Sequence, residues 1–301
     1  MKKSIRDSFG ESLVEIGKQN EKIVAVSCDL KNACRLNLFF EQFPERSIEC
    51  GIAEANAIGI SSGLALSGFR PFLASFGSFI TGKNIEIRTS VSYNLASVVI
   101  VGTHGGLIGP DGATQAALQD IAVMRTIPDF EIFQPCSNND VKSIMNYLKD
   151  SKKPTYLRIG RNEIDEFLPE EHKFQIGKAN LIIKGEEKLV ISSGPMVRNC
   201  YDAIKDNNSS GLLNVSSLKP IDENQIIEII RNYNKVITVE DHLIEGGLGS
   251  IISEIVSSNG LNIKVSRHGL INEFIESDTP SNLEKIYKLD PMGIREKINN
   301  F

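Results

Sequence analysis

An alternation of two periodicities constrains this chain more than any other feature. Short apolar runs of strand character occur at 22–27, 71–75, 97–102, 130–133 and 155–159, and helix-spaced stretches at 53–66, 80–93, 118–126 and 141–148 separate them, after a first helix over 4–17. Continuous apolar runs, rather than in-out alternation, belong to strands buried on both faces, so the pattern predicts an α/β fold with a mostly parallel sheet covered by helices on each side. Periodicity fades between about 161 and 187, where RNEIDEFLPEEHKF is rich in charge. A second alternation follows, with strands near 189–192, 211–215, 235–239 and 261–265 and helices near 197–204, 223–230 and 249–256. Two domains are expected, 1–165 and 188–301, joined by a linker over 166–187; 301 residues suffice for two cores.

Bulk chemistry narrows the function classes. With 33 basic against 38 acidic side chains the formal charge is −5, and no basic block stands out, so nucleic-acid binding is not expected. Cys28, Cys34, Cys50, Cys136 and Cys200 show no C-x-x-C spacing, which fits a reduced cytoplasm. The start MKKSIRDSFGE lacks an apolar core, and nowhere do 18 apolar residues run together, so neither a secretion signal nor a membrane span is expected.

Three segments carry residues suited to chemistry. ECGIAEANAIGISSGLAL puts Glu54 at the start of a helix of small and apolar residues, where a carboxylate would at the least complement the positive end of the helix dipole. PFLASFGSFITG sets Phe76 and Phe79 three residues apart directly after a strand, either as core or as a ligand platform. VGTHGGLIGPDGATQAALQD is a glycine-dense loop around His104 and Asp111, and such a loop needs a backbone reason: positive φ angles or close approach to a ligand. The carboxyl edge of an open α/β sheet is where ligands bind, and the second and third of these segments directly follow strands. No G-x-G-x-x-G follows the first strand, where SCDLKNACR stands instead, so a dinucleotide-binding oxidoreductase is disfavoured.

Taken with FLASFGSF, IAVMRTIPDFEIFQP, YLRIGR and the later VITVEDHLIEGGLGS, these segments resemble the transketolase family over its pyrimidine-binding and C-terminal domains, across nearly the whole chain. The resemblance implies thiamine diphosphate as cofactor and transfer of a two-carbon ketol unit from a ketose phosphate to an aldose. It makes Glu54 the carboxylate that holds a proton on the aminopyrimidine ring, favouring the tautomer that deprotonates the thiazolium C2. Phe76 and Phe79 would pack about that ring, and Asp29 would lie near the cofactor, although a turn or capping role suits Asp29 equally. His104 would touch the reacting oxygens of the substrate and Asp111 a sugar hydroxyl. Arg161 and Arg6 would bind the substrate phosphate, or else be solvated surface charges.

The G-D-G signature by which the family holds the diphosphate through Mg2+ (or Ca2+) is absent; the nearest string is PDG at 110–112. No metal site is therefore expected on this chain. A separately encoded N-terminal subunit carrying G-D-G is implied, in an α2β2 heterotetramer. Two departures point to an unusual sugar: Gln115 stands where the family usually has a histidine, and Ala33 where a phosphate-contacting serine often lies. The T-H pair of GTHGG favours transketolase over deoxyxylulose phosphate synthase, and DGAT with its helix disfavours a 2-oxoacid dehydrogenase β subunit. A noncatalytic interaction module that kept the fold is the alternative from another class.

Overall fold

The structure, a computed structural model, describes residues 3–161, 163–168 and 174–301. It is an α/β protein with two large sheets and one two-stranded ribbon among the described residues. The larger has seven strands in the order Ser217–Lys219, Glu131–Phe133, Thr155–Ile159, Val99–Thr103, Arg70–Phe76, Ile23–Ser27 and Ser47–Glu49, all parallel except the first. Its central strands are buried at every position. The reason is a helical layer on each face. Helices Ile5–Gln19 and Asn138–Leu148 bring Phe9, Leu13, Ile144 and Met145 onto Phe72, Val99 and Leu157, while helix Glu54–Leu66 brings Ala57 and Ile58 onto Val26, Leu73 and Ile100.

The smaller sheet orders Lys264–Leu270, Lys235–Leu243, Lys188–Ser192, Ser210–Asn214 and Asn180–Ile183, the last antiparallel. Strand Asn180–Ile183 lies inside the stretch read from sequence as a linker. It is an edge strand with half-exposed side chains, so it presents no apolar run to read. Residues 169–173 of that stretch lie outside the described residues. The strand expected at 261–265 is found at Lys264–Leu270, an edge position that tolerates Arg267 and His268. The helix expected over 80–93 is three pieces, Gly77–Thr81, Asn84–Glu86 and a wide π-type turn Ile87–Ser92, interrupted at Gly82 and Lys83. Among the described residues no helix is long and apolar enough to cross a membrane.

Because helix Ile5–Gln19 precedes strand Ile23–Ser27 and runs back along the sheet, its first turn sits at the carboxyl edge of the strands. Ser4 caps it by accepting from Arg6 N at 3.2 Å. The pairing of Lys3–Ser4 with Glu163–Ile164 then brings this turn beside the chain leaving strand Thr155–Ile159.

Candidate functional site

Glu54 opens its helix with only 9% of its surface exposed, and its Oε1 accepts from Ser75 Oγ at 3.0 Å. Ser75 and Phe76 end strand Arg70–Phe76, and the turn that follows carries Phe79 back over Phe76. The two rings stack with centroids 5.3 Å apart and 17° between planes. One strand over, His104 follows Thr103 and lays its ring 3.7 Å from that of Phe76, centroid to centroid. Its φ is +59°, a conformation that costs a non-glycine residue energy. The loop holds it there: Gly105 N donates to Ile159 O at 3.2 Å and Ala117 N to His104 O at 3.3 Å.

Charge around this edge is uneven. Arg6 is 8% exposed; its Nη1 donates to Ala33 O at 2.9 Å and lies 3.3 Å from His104 Nε2. Its buried Nε has no partner among the described residues. Burial, then the fields of Arg35 and Arg161, push the Arg6 guanidinium below its ordinary range. Burial, then Arg6, Arg161 and Arg35, press the His104 imidazole down to about 3, so it is neutral at physiological pH.

Glu54, Phe76, Phe79, His104 and Arg6 therefore form one contiguous edge. Arg161 and Asp111 are a pair beside it, about a third exposed, with Nη1 2.5 Å from Asp111 Oδ2. Arg161 also donates to Ile108 O at 3.4 Å. Gln115 is half-buried, its side-chain amide donates to Thr114 Oγ1 at 3.3 Å, and its main-chain carbonyl accepts from Ser78, which stands between the two phenylalanines in the sequence, at 2.9 Å. Asp29 stands apart. It is an exposed turn residue with φ +61° whose N donates to Glu49 Oε1 at 2.7 Å, and no hydrogen bond links it to Glu54 or His104 among the described residues. No group of three or more histidine, cysteine or acidic side chains could hold a metal ion among the described residues.

Sequence reasoning passed over the groups beneath this edge. Ser75 is a small polar residue at a strand end with no pattern to mark it, and Thr103 stands out in the sequence only as half of the T-H pair. Arg158, 1% exposed, donates from Nε to Asp120 at 2.9 Å and from Nη1 to Asp241 at 2.7 Å, the latter on a strand of the second sheet. Its Nη2 donates to Ala117 O at 3.0 Å, and Tyr156 donates to Asp120 at 2.7 Å. The glycines answer to this network: a Cβ on Gly102 would lie 2.0 Å from the Tyr156 hydroxyl, and one on Gly106, at φ +81°, 1.9 Å from Asp241. An arginine inside an otherwise apolar strand was the available signal, since a buried guanidinium requires acceptors for its five N–H groups, often carboxylates.

Comparison with known proteins agrees with this architecture. Residues 1–166 match the model of the transketolase pyrimidine binding domain and residues 177–294 that of the transketolase C-terminal domain. The chain is 36% identical to a protein of Methanocaldococcus jannaschii named for the C-terminal section of a transketolase, covering 98% of this chain and 95% of that one. It is 34% identical to a subunit of the apulose-4-phosphate transketolase of Phocaeicola vulgatus, over 96% and 94%. A 1-deoxy-D-xylulose-5-phosphate synthase of Mannheimia succiniciproducens is 29% identical, but the chain spans only 48% of it. Among solved structures, a split-gene transketolase described as an inactive β4 tetramer superposes with TM-score 0.90 at 30% identity, covering 99% and 97%. The transketolase of Campylobacter jejuni shares the fold at TM-score 0.83 and 19% identity, over 100% of this chain and 47% of its own.

Proposed function

This chain belongs to the transketolase family, and we propose that it is the pyrimidine-binding half of a two-subunit enzyme that moves a two-carbon ketol unit from a ketose phosphate to an aldose. The observation that carries this is the meeting, at one sheet edge, of a helix-start carboxylate, a stacked aromatic pair and a neutral histidine beside an arginine with an unmatched buried N–H. These residues fit the aminopyrimidine end of thiamine diphosphate, which when bound supplies an acidic thiazolium carbon and an electron sink for cleavage beside a carbonyl. Glu54 would hold a proton on the ring nitrogen, and Phe76 and Phe79 would exclude water from the ring face. His104, whose two ring nitrogens are engaged by Arg6 and Thr103, would line the substrate site with its ring edge rather than hydrogen-bond the reacting oxygens, and Asp111 would meet a sugar hydroxyl. Arg6 and Arg161 would take the substrate phosphate, Arg6 through the Nε that has no partner among the described residues. Asp29, at the rim, would approach the cofactor only from outside this group.

The diphosphate and its Mg2+ (or Ca2+) would be held by a separate N-terminal subunit with the G-D-G motif, in an α2β2 assembly within the cytoplasm. Support comes from the relatives named as a section or a subunit, and from the outer face of helix Glu54–Leu66. The exposed side of that helix carries no charge: Leu66 is 62% exposed, Ile52 just before the helix is 84% exposed, and nothing lies within 4 Å of a Cβ placed on Gly59 or Gly63. A specialised sugar is favoured by an amide at Gln115, in the loop whose main chain is tied to Ser78, and by the relative from Phocaeicola vulgatus, named for apulose 4-phosphate. The test is turnover of xylulose 5-phosphate with ribose 5-phosphate by the chain alone, by the reconstituted complex, and by the complex carrying Gln115→His. We expect none alone, sluggish turnover in the complex, and improvement with histidine. Activity of the chain alone would sink the split site, and brisk turnover unimproved by histidine would sink the specialised sugar.

A further inference from the structure

Hydrogen-bond directions around His104 follow from counting donors. An arginine Nη1 carries two hydrogens and no lone pair. One of those on Arg6 goes to Ala33 O at 2.9 Å, and the other faces His104 Nε2 at 3.3 Å. Nε2 must then offer its lone pair, which leaves the ring proton on Nδ1. That proton points at Thr103 Oγ1, 3.0 Å away. Thr103 has committed its own proton to the Ser75 carbonyl at 3.2 Å. Its second lone pair faces Cys34 Sγ at 3.3 Å, a thiol that burial keeps protonated by pushing it up to about 11. All three hydrogen-bonding positions of the threonine hydroxyl are thus occupied in one consistent set, and Ser75 passes its hydroxyl on to Glu54 at 3.0 Å.

We propose that Thr103 is a positioning residue: it locks His104 as the Nδ1–H tautomer, so that the Nε2 lone pair holds the Arg6 guanidinium in place for the anionic end of the substrate. The functional half of this rests on Arg6 as a phosphate anchor. Moving the ring proton to Nε2 would set N–H against N–H across 3.3 Å and drive Arg6 off its seat. The imidazolium offers no escape at neutral pH, because burial and three arginines oppose it. The same device leaves the Arg6 Nε free to receive a ligand oxygen. The sequence holds this residue in the T-H pair of GTHGG, where it attracts notice only as a marker of resemblance.

The full chain, labelled with 15N-histidine, reports the tautomer directly from the shifts of the two ring nitrogens, with His104→Gln identifying the resonances. We expect Nδ1–H and no titration of this ring between about pH 5 and 8. Thr103→Val should populate the other tautomer, and Thr103→Ser should retain the first. In the reconstituted complex, Thr103→Val should raise KM for a phosphorylated donor about tenfold while kcat changes far less, and Thr103→Ser should restore it. A wild-type ring protonated on Nε2, or one titrating near the ordinary histidine value, overturns the proposal even if the valine variant fails to fold. So does a valine variant with unchanged tautomer and KM. A tautomer shift with KM unmoved upholds the lock on His104 and removes Arg6 as the phosphate anchor.

Discussion

At the residue scale, burial decides which groups can do chemistry. Glu54 is nearly enclosed, with one carboxylate oxygen engaged by Ser75 and its helix start offering the positive end of a dipole. Glu54→Gln in the complex should preserve assembly but slow hydrogen–deuterium exchange at the thiazolium C2 by roughly 10²–10⁴-fold, the range of a positioned acid–base group; an unchanged rate would remove Glu54 from the reaction. His104 makes a prediction about pH. Its folded value, about 3, lies below its ordinary 6.5. The stability this represents is complete above pH 6.5 and drains as pH falls toward 3, because the unfolded chain takes a proton that the native site refuses. His242, pressed down to about 4, and Glu240, pushed up to about 7, also titrate across part of that range. They are common to wild type and to His104→Gln, so they cancel in the difference between the two. Urea denaturation should show wild type losing more stability than the variant between about pH 7.5 and pH 5; parallel losses would mean that His104 is already accessible to protons.

At the scale of elements, two kinds of ion pair act on the same loop. Arg158, Asp120 and Asp241 are all within 5% of full burial and tie strand Thr155–Ile159 to the loop after His104 and to strand Lys235–Leu243 of the second sheet. The Arg158 guanidinium is held well above its ordinary range, its two carboxylate neighbours overcoming the cost of burial. Arg161 and Asp111 are about a third exposed and screened by water. Arg158→Met should therefore cost roughly 3–5 kcal/mol of stability by leaving two buried carboxylates without a cation, whereas Asp111→Asn should cost under about 1 kcal/mol. Equal losses by chemical denaturation would contradict this ranking. The network also accounts for two glycines: its side chains leave no room for a Cβ at Gly102 in the strand or at Gly106 in the loop.

At the scale of the whole molecule, one unsatisfied apolar surface is the outer face of helix Glu54–Leu66, which adjoins the turn Ile87–Ser92 through the bond from Ser62 Oγ to Ser90 O at 2.5 Å. Tyr93 and Leu95, 87% and 58% exposed, continue the apolar character just beyond that turn. A Cβ placed on Gly63 has nothing within 4 Å. Gly63→Leu is expected to leave the circular dichroism of the chain unchanged yet weaken assembly with its partner, read by sedimentation velocity. Unaltered assembly would mean that this face is not covered.

The sequence by itself determined much of the local order: the central strands of the first sheet, that a carboxylate opens the helix Glu54–Leu66, and that the segments bearing Phe76 and His104 leave strand ends. Burial periodicity and helix starts depend on neighbours a few residues away, so they are written locally. Even some unread elements had local signals, since helices Pro280–Ile286 and Pro291–Asn299 each start with a proline behind a capping Thr279 or Asp290. What only the tertiary structure decided lies in pairings across long separations. Arg6 meets His104 over 98 positions and Arg158 meets Asp241 over 83. Strand Ser217–Lys219 leaves the second half of the chain to edge the first sheet. No window of sequence contains both partners of such contacts, and the proton on His104, the seat of Arg6 and the brace under the loop are fixed by those partners.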